Sequence, residues 1–162
     1  MADFRGTRIN HSYTQTNNAP PDRVFPLLCP VREAGWVPGW KYRMIYSRSG
    51  VAEDGCVFTT PDDGGGETTW LVTVYDPAQF RIEFAWVRPE MVAAQIRIFL
   101  EPNQSGTTNA HISYCYTGLS PEGNAEVERY DETWFNRKMQ AWETAISHFL
   151  QTGLPLASPS WE

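Results

Sequence analysis

The sequence predicts an α+β domain in which one antiparallel sheet of seven strands is backed by a long C-terminal helix, with two short helices between strands one and two. Three observations predict it. Six segments enriched in β-branched and aromatic residues follow one another between Lys41 and Thr117, separated by short turns that make consecutive strands antiparallel neighbours. Within them apolar and polar residues alternate, as in Ala94, Ile96, Ile98 and Leu100 against Gln95 and Arg97, so one face of the sheet is apolar and the other wet. Finally, the segment from Ser120 to Gln151 repeats its apolar residues with a helical period.

The elements can be justified in order. Thr7 to Thr16 alternates, with Ile9, His11 and Tyr13 on one face, and predicts strand one. The stretch PLLCPVREAGWVPGW, Pro26 to Trp40, crowds prolines and glycines around Trp36 and Trp40. Tryptophans argue against a disordered linker. Pro20 and Pro21 suit a first helical turn, Val24, Phe25 and Leu28 form a small apolar face, and Pro30 stops that helix and suits the start of another over Val31 to Gly35. The remaining strands are expected at Lys41–Ser47, Gly55–Thr60, Thr68–Tyr75, Gln79–Val87, Val92–Glu101 and Thr107–Thr117. Trp70, Val72 and Val74 should share the apolar face with Phe80, Ile82, Phe84 and Trp86, while Arg81 and Glu83 point away. Ser120 as N-cap and Pro121 at the first position open the last helix, and Gly153 and Pro155 end it. The pattern predicts a single helix of roughly 30 residues, about 45 Å long. Its apolar side carries Tyr130, Trp134, Phe135, Met139, Trp142, Ile146 and Phe149.

A chain of 162 residues is long enough for one core and short for two, so residues 1–162 are read as one domain with its core at about 7–153. A formal charge of -6, with no basic cluster, disfavours nucleic acid as a partner. Cys29, Cys56 and Cys115 are odd in number and scattered, which fits free thiols in a reducing cytoplasm. The opening MADFRGTRINHSYTQT lacks an apolar signal core, and no stretch reaches the length of a membrane span, so a cytoplasmic protein is expected. His11, His111 and His148 show no metal-ligand spacing, and neither a nucleophile elbow nor a phosphate cradle occurs. No metal or other cofactor is expected. A homodimer is kept as a candidate assembly.

The order strand, two short helices, six strands, long helix resembles the START-like helix-grip superfamily, also labelled SRPBCC, which includes plant pathogenesis-related allergens, lipid-transfer domains and polyketide cyclases. The resemblance spans about Thr7 to Gly153. It is carried by NAPPDRVFPLL, REAGWVPGW, ETTWLVTVYDPAQFRIEF, GTTNAHISYCYTGLSPEG and FLQTGLP. It implies a curved sheet wrapped around the long helix, with an apolar cavity between them that the two short helices close at one end. Trp36 and Trp40 would then be apolar plugs at that end, or simply core.

The resemblance implies binding of a small hydrophobic molecule, lipid-like or aromatic, by burial against Trp70, Phe84, Trp86, Tyr114, Trp134 and Trp142. A polyketide cyclase- or dehydratase-like enzyme acting in the same cavity is the alternative, and an interaction module with a collapsed cavity is a third. Glu128, Asp131 and Lys138 fall on the apolar arc of the last helix beside Tyr130. Burying an unpaired charge is costly, so these residues must be paired, wet or exposed at the helix start. In the enzyme reading Asp131 is the acid or base, with Tyr130 beside it.

Overall fold

The computed structural model describes residues 3–62 and 64–157. Its sheet runs in the order β1 (Arg8–Asn17), β7 (Thr108–Gly118), β6 (Val92–Pro102), β5 (Arg81–Arg88), β4 (Glu67–Asp76), β3 (Val57–Pro61), β2 (Arg43–Tyr46), all neighbours antiparallel. Strands β2 to β7 form a meander, and β1 lies at the edge beside β7, so the first and last strands pair. Between β1 and β2 lie α1 (Pro21–Val24), a 3-10 turn (Phe25–Leu28) and α2 (Pro30–Glu33). Proline occupies the first turn of each, where its missing N–H goes unused.

Alternation sets the face each residue presents. Ala94, Ile96, Ile98 and Leu100 are buried on the inner face. On the outer face of β5 and β6, Glu83 is covered by two arginines, Arg81 Nη2 at 2.9 Å and Arg97 Nε at 2.9 Å. Two expectations for the central hairpin need correction. A bulge between Val72 and Val74 shifts the register, pairing Val74 with Glu83 and Tyr75 with Ile82. Tyr75 therefore takes the inner place expected of Val74 and stacks on Phe25 at 5.5 Å. Phe80 lies outside β5 at φ 53°, in the turn, and meets Phe25 edge-on at 5.9 Å.

The C-terminal helical region also differs from the expected single helix. It is two helices, α3 (Pro121–Glu128) and α4 (Glu132–Thr152). Ser120 caps α3 by accepting from the Gly123 N–H, and Gly123 must be glycine because a Cβ there would sit 1.8 Å from the Met91 carbonyl oxygen. Asp131 caps α4, its Oδ1 accepting from the Trp134 N–H at 2.8 Å. The break frees the Tyr130 carbonyl, which accepts a hydrogen bond from His11 Nε2 at 2.6 Å, and the His11 ring stacks on Phe135 at 4.9 Å. Gly153, at φ 72°, ends α4 in the left-handed conformation. Cys29, Cys56 and Cys115 are unpaired. No helix among the described residues is long and apolar enough to cross a membrane.

Candidate ligand cavity

Helix α4 does not touch the sheet along its whole length. Between its first three turns, the inner face of β3 to β7 and the loop after α2 lies a cavity of about 580 Å³. Its wall is largely aromatic. Trp70 is the hub, stacked on Phe58 at 5.4 Å and meeting Phe84 edge-on at 6.0 Å and Trp40 edge-on at 6.5 Å. Hydrogen bonds fix two of these rings, from Trp40 Nε1 to the Pro30 carbonyl at 2.9 Å and from Trp70 Nε1 to Thr60 Oγ1 at 3.0 Å. Ile96, Ile98 and Ile112 form the floor.

Of the residues expected to line such a space, Trp40, Trp70, Phe84, Tyr114, Trp134 and Trp142 do so. Trp36 lies behind the wall. It is fully buried, donates from Nε1 to the Leu27 carbonyl at 2.9 Å and backs Trp142 at 5.3 Å. Trp86 and Tyr130 pack around Tyr116 beyond the cavity, at 6.2 and 4.9 Å. Asp131 and Glu128 are exposed. The break between α3 and α4 turns Asp131 from a residue on the apolar arc into a helix cap, so its carboxylate is already committed to backbone N–H and stands away from the cavity.

The polar groups that do reach the cavity are Glu33 at the end of α2, Tyr114 on β7, and Arg137 and Lys138 on α4. Lys138 stands one helical turn from Trp134 and one from Trp142, between the two indoles on the same stripe. Its Nζ lies 5.2 Å from the centroid of the Trp134 ring and 5.3 Å from that of Tyr114, within cation–π range of both. By accessible surface Lys138 is exposed and Glu33 half-buried, but both line the cavity and have protein packed densely around them. Burial accordingly pushes the Lys138 ammonium down to about 8 and raises the Glu33 carboxyl well above the usual carboxylate range. Burial, reinforced by Glu33, raises the Tyr114 phenol as well. Among the described residues, no hydrogen bond or ion pair joins the side chains of Glu33, Tyr114 or Lys138 to any partner.

Sequence reasoning missed Glu33, since a four-residue helix has no periodicity to show which way a side chain points. Lys138 was legible as a charge on the apolar stripe. Its placement between Trp134 and Trp142, four residues either way, was the available signal of a lysine held among aromatic rings.

No family model matches the sequence, and no curated protein matches it. Solved structures do resemble its fold. The crystal structure of Ara h 8.0201 superposes with a TM-score of 0.60 at 15% identity, over 90% of this chain and 99% of that one. Norcoclaurine synthase from Thalictrum flavum, in complex with dopamine and hydroxybenzaldehyde, gives a TM-score of 0.65 at 15% identity, over 91% and 88%. DynU16, from the dynemicin biosynthetic locus, gives 0.59 at 18% identity, over 93% of this chain and 49% of that one. The curved seven-stranded sheet, the short helices after β1 and the long last helix, together with these likenesses, establish that the chain has the START-like helix-grip fold.

Proposed function

We propose that this protein binds a small, largely apolar aromatic molecule in the cavity between sheet and α4, with an oxygen acceptor of that molecule placed among Glu33, Tyr114 and Lys138. The observation that carries the reading is the combination of an aromatic wall with three polar groups that no described side chain or backbone atom satisfies. A phenol and an ammonium are donors, and so is a carboxyl in the protonated form that burial favours for Glu33. With no described protein partner they are left to water in the free protein, and a ligand oxygen placed among them would take that water's place. The neighbour that holds dopamine and hydroxybenzaldehyde supports the idea that such a fold can enclose aromatic rings. The test is isothermal titration with 2-methoxynaphthalene. Binding to the wild type that weakens at least about tenfold in Trp70→Ala, a loss of about 1.4 kcal/mol, is expected. Equal affinity in that variant would reject the cavity as the site.

An enzyme of the cyclase or dehydratase kind is the second reading, and one observation favours it. A carboxyl that burial raises well above the usual carboxylate range and an amine that burial lowers to about 8 line one cavity, the pairing of acid and base that proton transfer uses. In this reading Glu33 and Lys138 take the role expected of Asp131.

A further inference from the structure

We propose that Lys138 is a nucleophile that condenses with the carbonyl of an apolar aldehyde or ketone to form an imine inside the cavity. The inference rests on the binding reading, because the carbonyl must first be held against the aromatic wall.

Four features of the site converge on this chemistry. Lys138 projects from a rigid helix rather than a loop, and its Nζ is positioned over two rings that would flank an aromatic ligand. No described carboxylate pairs with it, so its lone pair is not tied up by a permanently fixed proton. Amines placed in apolar pockets are the nucleophiles of carbonyl chemistry because desolvation favours the neutral form. Glu33, whose carboxyl burial raises well above the usual carboxylate range, lines the same space as a candidate acid, and Tyr114 adds a hydroxyl to that lining.

The step balances without any oxidant or reductant. The Nζ lone pair attacks the carbonyl carbon, a C–N bond forms, and the carbonyl π pair moves to oxygen, which takes a proton from Glu33. The nitrogen then returns a proton to the Glu33 carboxylate, leaving a neutral carbinolamine. Glu33 protonates the departing hydroxyl, the C–O bond breaks, and the nitrogen lone pair forms C=N as water leaves. The resulting iminium gives its proton back to Glu33. The net change is amine plus carbonyl to imine plus water.

The sequence makes the test unusually clean, since Lys41 and Lys138 are its only lysines and Lys41 is exposed on the surface. At pH 7.5 an amine titrating near 8 is about one quarter neutral, against about one thousandth for an unperturbed lysine. The full chain is incubated at that pH with 6-methoxy-2-naphthaldehyde and sodium cyanoborohydride, and the reduced adduct is located by peptide mass spectrometry. Modification of Lys138 at least about tenfold faster than of Lys41, retained in Lys41→Met and lost in Lys138→Met, is expected. Equal labelling of the two lysines, or none at Lys138, overturns the inference. Parallel titration with 2-methoxynaphthalene, which has no carbonyl, separates the two failures. If that compound binds while Lys138 stays unlabelled, the binding reading survives and the imine does not; if it does not bind, the reading beneath both has failed.

Discussion

The space between the sheet and the C-terminal helices has two ends built from the same kinds of residue, and they are finished differently. At the end nearest α3, Tyr116 is fully buried among Trp86, Tyr130 and Trp134, with ring centroids 4.9 to 6.2 Å away. The charges there are paired. Arg88 bridges Glu126, and Tyr130 Oη donates to Glu126 Oε1 at 2.7 Å. Burial would push the Glu126 carboxyl up, but Arg88 and Tyr130 hold it below the usual carboxylate range, while burial and that same hydrogen bond push the Tyr130 phenol up to about 12. At the other end the rings stand apart around about 580 Å³ of space, and Glu33, Tyr114 and Lys138 have no described partner. Aromatic residues and charges alone therefore do not mark a site. The packed end keeps a buried hydroxyl without a described partner of its own, Tyr116 Oη, so it is the pairing of its carboxylate with a cation, Glu126 with Arg88, that separates it from the hollow end.

The comparison breaks most visibly under truncation. Tyr116→Ala at the packed end should cost about 3–5 kcal/mol in chemical denaturation, the usual range for removing a large buried ring. Next in size, Arg88→Met strips Glu126 of its cation in a partly buried place, and a loss of about 1–3 kcal/mol is expected, measured the same way. A smaller effect, about 1 kcal/mol, should follow Asp131→Ala through loss of the α4 cap, with affinity for 2-methoxynaphthalene unchanged. Weakened binding in that variant would return Asp131 to the site.

The smallest effect should have the opposite sign. Lys138→Met removes an unpaired charge from the hollow end, so its melting temperature at pH 7 should equal or exceed that of the wild type. The pH dependence sharpens this. The folded state holds the Lys138 proton less tightly than the unfolded chain, so between about pH 8 and the ordinary lysine value near 10.4 the unfolded state binds more protons and stability rises with pH. Glu33 works the other way. Its raised carboxyl keeps a proton that the unfolded chain loses, so stability falls as pH rises above the ordinary carboxylate range. The alkaline rise should vanish in Lys138→Met and the acid-side fall in Glu33→Gln, both followed by thermal melts across pH.

Much of the fold was legible because strands reveal their faces through a period of two. The burial of Ala94, Ile96, Ile98 and Leu100 and the outward placement of Arg81 and Glu83 follow from that period. Where one residue interrupts the count, the signal fails, and the bulge that exchanges Val74 for Tyr75 is such a case. The break at Asp131 was hidden for a related reason. Apolar spacing runs unbroken through Tyr130 and Trp134, and only the preference of aspartate for N-caps hints at a new helix start. Missing that cap gave Asp131 a buried role it does not have. It also left Lys138, seven residues on, without its proper setting among Trp134, Tyr114 and Trp142. Glu33 enters the cavity through the path of the chain after Pro30, which local pattern does not encode.

The central claim is that Lys138 sits unpaired in a desolvated aromatic cavity. With two lysines in the chain, NMR of protein labelled with carbon-13 at lysine Cε gives two signals, assigned by Lys41→Arg. Titrated without ligand, the Lys138 signal should turn at about 8. A midpoint at the unperturbed value near 10.4 would mean that the hollow end is as wet as the surface, and would contradict the account.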